Sequence, residues 1–134
     1  MDAIEAVRRA LEARADVRLA YLFGSTARGE ARSSSDLDVA VAFAPVPAPE
    51  ELDRLATDLE VAAGCRVDLV VLNAAPPLLA HEALRSGRLI VCRDEDERVS
   101  FHTCAIARYL DTAHLRRVQH AYLRERAEAR IRPV

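Results

Sequence analysis

Residues 37–43, Leu-Asp-Val-Ala-Val-Ala-Phe, constrain this chain more than any other segment. They read as a β-strand. Side chains alternate across a strand, so Leu37, Val39, Val41 and Phe43 make one continuously apolar face. The other face starts with the carboxylates of Asp36 and Asp38 and continues with the small residues Ala40 and Ala42. Two carboxylates about 7 Å apart along one face repel each other unless something positive neutralises them. A divalent cation does this, and Mg²⁺ prefers hard oxygen ligands. The segment therefore asks for a covered sheet and for a cation at one end of it.

The flanking pattern supplies the rest of such a sheet. Residues 3–14 place Ile4, Val7 and Leu11 at helical spacing. Residues 17–23, Val-Arg-Leu-Ala-Tyr-Leu-Phe, read as a strand broken by Gly24-Ser25. Pro45, Pro47 and Pro49 form a stiff linker, and Leu52, Leu55, Ala56 and Leu59 give a helix that Gly64 stops. Residues 66–72 are a third strand, 77–86 a short helix closed by Gly87, and 88–92 a fourth strand. From 95 to 130 the pattern is helical, and Asp111-Thr112 is placed to cap a second segment and divide it. The expected fold is α/β (α+β): one small domain over residues 1–134, a mixed sheet of about four strands flanked by helices, and a long C-terminal helical segment.

The totals narrow the function. With 134 residues and 51% apolar side chains, the chain has room for one core. No apolar run approaches the ~20 residues that cross a bilayer, and the acidic Met1-Asp2-Ala3-Ile4-Glu5 start does not resemble a signal peptide, so a cytoplasmic location and no membrane contact are expected. Cys65, Cys92 and Cys104 are widely spaced and read as reduced packing residues. A net charge of −2 argues against direct nucleic-acid binding. The charge is uneven, however. Residues 1–97 hold 18 acids and 11 arginines, whereas residues 98–134 hold 3 acids and 8 arginines. A basic end on an acidic body suits a protein partner or a phosphate-bearing ligand. All 19 basic residues are arginine, which excludes lysine-based catalysis. Ile106, Leu110, Leu115, Val118, Tyr122 and Leu123 lie among those arginines, and a helix this long exceeds what a small sheet covers, so a partner is expected to share the stripe.

A third carboxylate, Asp68, sits inside the otherwise apolar strand 66–72, where an ionised side chain is costly unless paired or metal-bound. If its strand neighbours that of Asp38, the three carboxylates surround two metal ions, the arrangement that stabilises both oxygens of an in-line phosphoryl displacement. Gly24-Ser25 follows a strand, where a glycine lets backbone approach a phosphate, N–H groups attract the anion, and the Ser25 hydroxyl adds a donor. Arg28, about one turn further, is placed to meet a phosphate or an acidic side chain.

Together these residues spell Gly-Ser-x10-Asp-x-Asp, with a strand Asp thirty residues later. That pattern resembles the signature of the DNA polymerase β-like nucleotidyltransferase superfamily. By the resemblance, Asp36, Asp38 and Asp68 are the metal triad for two Mg²⁺ ions, and Gly24 and Ser25 the triphosphate cradle. More narrowly, the block from Gly24 to Asp38 and the Arg108-Tyr109-Leu110-Asp111 helix resemble the minimal nucleotidyltransferases that serve as antitoxins in HEPN/MNT toxin–antitoxin pairs. The resemblance implies transfer of AMP from ATP to a tyrosine of a cognate HEPN toxin, an RNase that is thereby silenced. Kanamycin-type nucleotidyltransferases, which modify a small molecule, carry a substantial extra domain that this chain lacks. A non-catalytic antitoxin acting by contact alone leaves the carboxylate triad unexplained. Arg108 and His114 form an Arg-x5-His pair like that of HEPN ribonucleases, but one helical region does not make their four-helix bundle. Tyr109 and Tyr122 read as packing residues.

Overall fold

A computed structural model describes residues 2–24 and 36–131. Helix α1 (Ala3–Glu12) begins at Asp2, whose carboxylate accepts the Glu5 N–H at 2.8 Å. Strand β1 (Val17–Phe23) follows, then β2 (Leu37–Phe43). Helix α2 (Pro49–Ala63) starts on the last of the three prolines, because the ring pre-sets φ at a position whose N–H needs no partner. It ends at Gly64, which takes φ +71°. Strand β3 (Val67–Val71), helix α3 (Pro77–Ser86), strand β4 (Arg88–Cys92), and helices α4 (Glu95–Asp111) and α5 (Ala113–Ile131) complete the chain.

The sheet order is β3-β2-β1-β4. Strand β1 runs antiparallel to both β2 and β4, and β2 runs parallel to β3. The sheet is therefore mixed, with β3 at one edge. One face carries Leu37, Val39, Val41 and Phe43 against Val7 and Leu11 of α1 and Leu55 and Leu59 of α2. The other face carries Ala40 and Ala42 with Leu19 and Tyr21, packed against Ala80, Ala83 and Leu84 of α3 and Ala105 of α4. The small alanines let these helices approach closely. On this second face α3 rides over β1, and of the β3 residues there Asp68 is exposed while Val70 packs on the cluster.

Two polar side chains finish the frame. Asn73 extends the β3 side of the sheet past its end: its amide accepts from the Phe43 N–H at 2.8 Å and donates to the Phe43 carbonyl at 2.9 Å. Arg93 donates to the carbonyls of Glu12, Arg14 and Val17 at 2.6, 3.0 and 2.9 Å, closing the open end of α1 and tying the turn that follows to the start of β1.

The division of the C-terminal segment falls at Thr112, as expected, but Thr112 does not cap α5. Its hydroxyl bonds back to the carbonyls of Arg108 and Tyr109, at 3.2 and 3.0 Å. The joint is set instead by Tyr109, which stacks on His81 of α3 with centroids 3.8 Å apart and lies 4.1 Å from the Arg116 guanidinium of α5. Three packing expectations need correction. Tyr122 is 56% exposed, since no described element lies beyond α5 to cover it. Cys92 and Cys104 are exposed free thiols, and only Cys65 packs against the core.

Candidate active site

The parallel pairing of β2 and β3 sets Asp38 directly beside Asp68. Both point to the second face of the sheet, because Ala40 and Val70, two residues on, pack there. Asp36, one residue before β2, lies close enough for its charge to act on Asp38. The three predicted carboxylates therefore lie at the same end of the sheet, with Asp38 and Asp68 in register. The expectation that Asp68 is buried among apolar neighbours is corrected: it is exposed. Strand β3 is an edge, and its apolar neighbours Val67, Leu69 and Val71 face α2 on the other side.

The electrostatics of the group are those of crowded like charges. Burial pushes the Asp38 carboxyl above its ordinary range, the charges of Asp68 and Asp36 push it further, and a hydrogen bond shared with Asp68 adds to the effect. Among the described residues, no three His, Cys, Asp or Glu side chains are gathered tightly enough to hold a metal ion as they stand. The donor set nevertheless fits one. It consists of hard carboxylate oxygens on adjacent strands, open to solvent on one side, whose mutual repulsion a divalent ion relieves.

Gly24 completes the visible geometry. It follows β1 at the strand end where Phe23 pairs with Asp38, and its φ is +74°. A Cβ added there would lie 2.5 Å from Asp38 Oδ2. The glycine thus brings the turn backbone against the carboxylate in a conformation that other residues rarely adopt. Ser25 and Arg28, the other two expected nucleotide-binding residues, lie outside the described residues.

Among the described residues, Asp68 stands exposed on the carboxylate strip and Asp38 only half-buried beside it. A cavity of about 640 Å³ lies elsewhere, lined by Leu19, Ala42, Phe43, Asn73 and Phe101, toward the opposite end of β2 from Asp38. The neighbours that order the strip were not visible in the sequence. The Glu60 carboxylate accepts the Val67 N–H at 3.3 Å at the entry to β3. On the same face of the sheet, the buried Tyr21 hydroxyl bonds His102 Nε2 of α4 at 3.0 Å. Neither contact has a local spacing signal, since both arise from tertiary packing.

A positive-φ glycine packed on a carboxylate, with a second carboxylate in register on the next strand, is the local geometry that this α/β sheet presents at one end. The profile of the family described as polymerase beta, nucleotidyltransferase, matches residues 5–96, and the chain belongs to that family. It is 37% identical over 82 residues to the protein adenylyltransferase MntA of Thermococcus cleftensis, an alignment covering 61% of this chain and 83% of that protein. A chain from the crystal structure of a toxin–antitoxin with AMP-PNP superposes with a TM-score of 0.76 at 27% identity, covering 91% of this chain and 96% of the other. A chain from a tri-AMPylated Shewanella oneidensis HEPN toxin in complex with MNT antitoxin gives 0.71 at 25% identity, covering 92% and 94%.

Proposed function

We propose that this chain is an antitoxin-type protein adenylyltransferase that moves AMP from ATP to a tyrosine of a cognate HEPN toxin, in the cytoplasm. The observation that carries this reading is the register of Asp38 with Asp68, with the backbone of Gly24 held against the Asp38 carboxylate. The likeness to MntA and to the AMPylated toxin complex supports the same reaction and partner.

Asp36, Asp38 and Asp68 would hold Mg²⁺, two ions on this reading, which supplies charge neutralisation for the triphosphate and for the attacking oxygen. The turn at Gly24 lets the backbone approach the triphosphate, with Ser25 and Arg28 as its further donors. The tyrosine oxygen attacks the α-phosphorus, the bond from that phosphorus to the β-phosphate bridging oxygen breaks, and pyrophosphate leaves. A free phenol has a pKa of about 10, so its proton needs an acceptor, and the exposed carboxylate of Asp68 is placed to take it. The basic, apolar-striped segment from about residue 98, within the C-terminal helical segment 95–130, is the docking surface for the rest of the toxin. Leu110, Leu115, Tyr122 and Leu123 are each more than half exposed there, apolar side chains that a partner surface would cover.

The test is to incubate the chain and its toxin with ATP and Mg²⁺ and weigh the toxin by mass spectrometry. A gain of one or more AMP units on tyrosine is expected, and it should vanish with Asp36→Asn plus Asp38→Asn in a chain that still folds. An inhibited but unmodified toxin would point to antitoxin action by contact alone. Labelling of a small molecule instead would point to a kanamycin-type enzyme.

A further inference from the structure

We infer that the outer edge of β3 receives the acceptor-bearing segment of the toxin as an added strand, which sets its tyrosine opposite Asp68. The inference rests on the protein-acceptor reading above. In a parallel pair, successive residues alternate between facing the neighbour and facing away. The Leu37 N–H donates to the Arg66 carbonyl at 2.9 Å, and the Leu72 N–H to the Val41 carbonyl at 2.8 Å. That phase commits the backbone of Asp68 and Val70 to β2 and turns the groups of Val67, Leu69 and Val71 outward. Both ends of the outward row are closed. The Val67 N–H is taken by Glu60 Oε1 at 3.3 Å, and the Val71 carbonyl by the Ala74 N–H at 3.2 Å. Between these ends, the Val67 carbonyl, both backbone groups of Leu69 and the Val71 N–H have no partner among the described residues. A short row of alternating donors and acceptors, stopped at each end, is complementary to an extended backbone.

The register ties this edge to the carboxylates. Because the backbone groups of Asp68 face β2, a residue opposite it on an antiparallel outer strand forms a non-hydrogen-bonded pair, with Cα atoms about 4.5 Å apart and side chains on one face. That face is the one Asp68 shares with Asp38. The half-buried Val70 lies next along it and offers an apolar flank for an aromatic ring. A tyrosine delivered this way reaches the exposed Asp68 from the outer edge of the sheet.

Amide hydrogen exchange on the full chain, read residue by residue by NMR with and without the toxin, tests this. The Leu69 and Val71 amides should exchange fast in the free chain and at least tenfold more slowly in the complex. The Val70 amide, paired with β2 in both states, serves as reference. Unchanged Leu69 and Val71 rates, in a complex that goes on to be AMP-labelled when ATP and Mg²⁺ are added, would overturn the edge docking and leave the adenylylation reading intact. Protected amides in a toxin that never gains AMP would uphold the edge and sink that reading. Slow exchange already present in the free chain would mean that two copies pair through this edge, and would also overturn the inference. Leu69→Pro removes one outward donor and no bond to β2. It should raise KM for the toxin at least tenfold while calorimetric ATP–Mg²⁺ binding is unchanged, and an unchanged KM in that folded variant would count equally against the inference.

Discussion

A side chain at position 24 has no room. Its Cβ would sit 2.5 Å from Asp38 Oδ2, and φ is +74°. Gly24→Ala should therefore fold with a loss of about 1 kcal/mol from backbone strain. It should lose on the order of 100-fold in AMP transfer, because displacing a reacting geometry by about 1 Å costs that much. Thermal melts and initial rates on the same sample separate the two effects. Asp38 makes the opposite demand on stability. Its carboxyl is harder to ionise in the fold than in the open chain, chiefly through burial and then through Asp68 and Asp36. A raised carboxyl pKa means that the folded state binds the proton more readily, so this group's contribution to stability is present in acid and lost as pH rises through the folded value. Asp38→Asn, melted without Mg²⁺ from about pH 4 to pH 7, should match or exceed the parent at neutral pH and show a flatter pH dependence. Transfer should fall by at least about 100-fold. A clear loss of stability at neutral pH would show that the carboxylate is structural rather than held in place for chemistry.

At the scale of elements, the sequence showed where strands and helices lie, because apolar periodicity of two or of about 3.6 residues is a local property. The break at Gly24 and the stop at Gly64 are local as well, and both appear in the structure as positive-φ glycines. What joins the elements is not local. Nothing in the strand 66–72 says that it lies beside β2, so the meeting of Asp38 with Asp68 was conditional on a neighbour relation that only the sheet order supplies. For the same reason Asp68 read as buried, when the edge position of β3 leaves it exposed. Arg93 carried no signal at all, yet from 81 residues away in the chain it bonds the Glu12 carbonyl that the end of α1 leaves open, and through Arg14 and Val17 it ties the turn that follows to the start of β1. Arg93→Ala should cost about 1.5–3 kcal/mol, the range for hydrogen bonds to a charged group. Chemical denaturation reads that loss, while AMP transfer by the folded fraction should be unchanged, since Arg93 stands at the end of β4 away from the carboxylates.

At the scale of the molecule, the chain divides into a sealed half and an open half. Helix α5 buries none of its described side chains, and its apolar residues Leu115, Val118, Tyr122 and Leu123 are all about half exposed or more. A chain ending at Arg116 keeps the guanidinium over Tyr109 and should lose under about 1 kcal/mol of stability. Its affinity for the toxin should nevertheless fall at least about tenfold, because exposed aromatic and aliphatic anchors are what a partner fills. Calorimetric titration and a melt of the same variant would show the two effects apart. The exposure of Asp68 on β3 has a further consequence, which concerns leakage. A surface that admits a phenol from solution admits water equally well, and water is the more concentrated nucleophile. Given ATP and Mg²⁺ but no toxin, the chain should release pyrophosphate and free AMP slowly and without end. Adding toxin should slow that drain even before any tyrosine is labelled, because the incoming protein shields the triphosphate from solvent. Continuous pyrophosphate detection would show both the idle flux and its suppression.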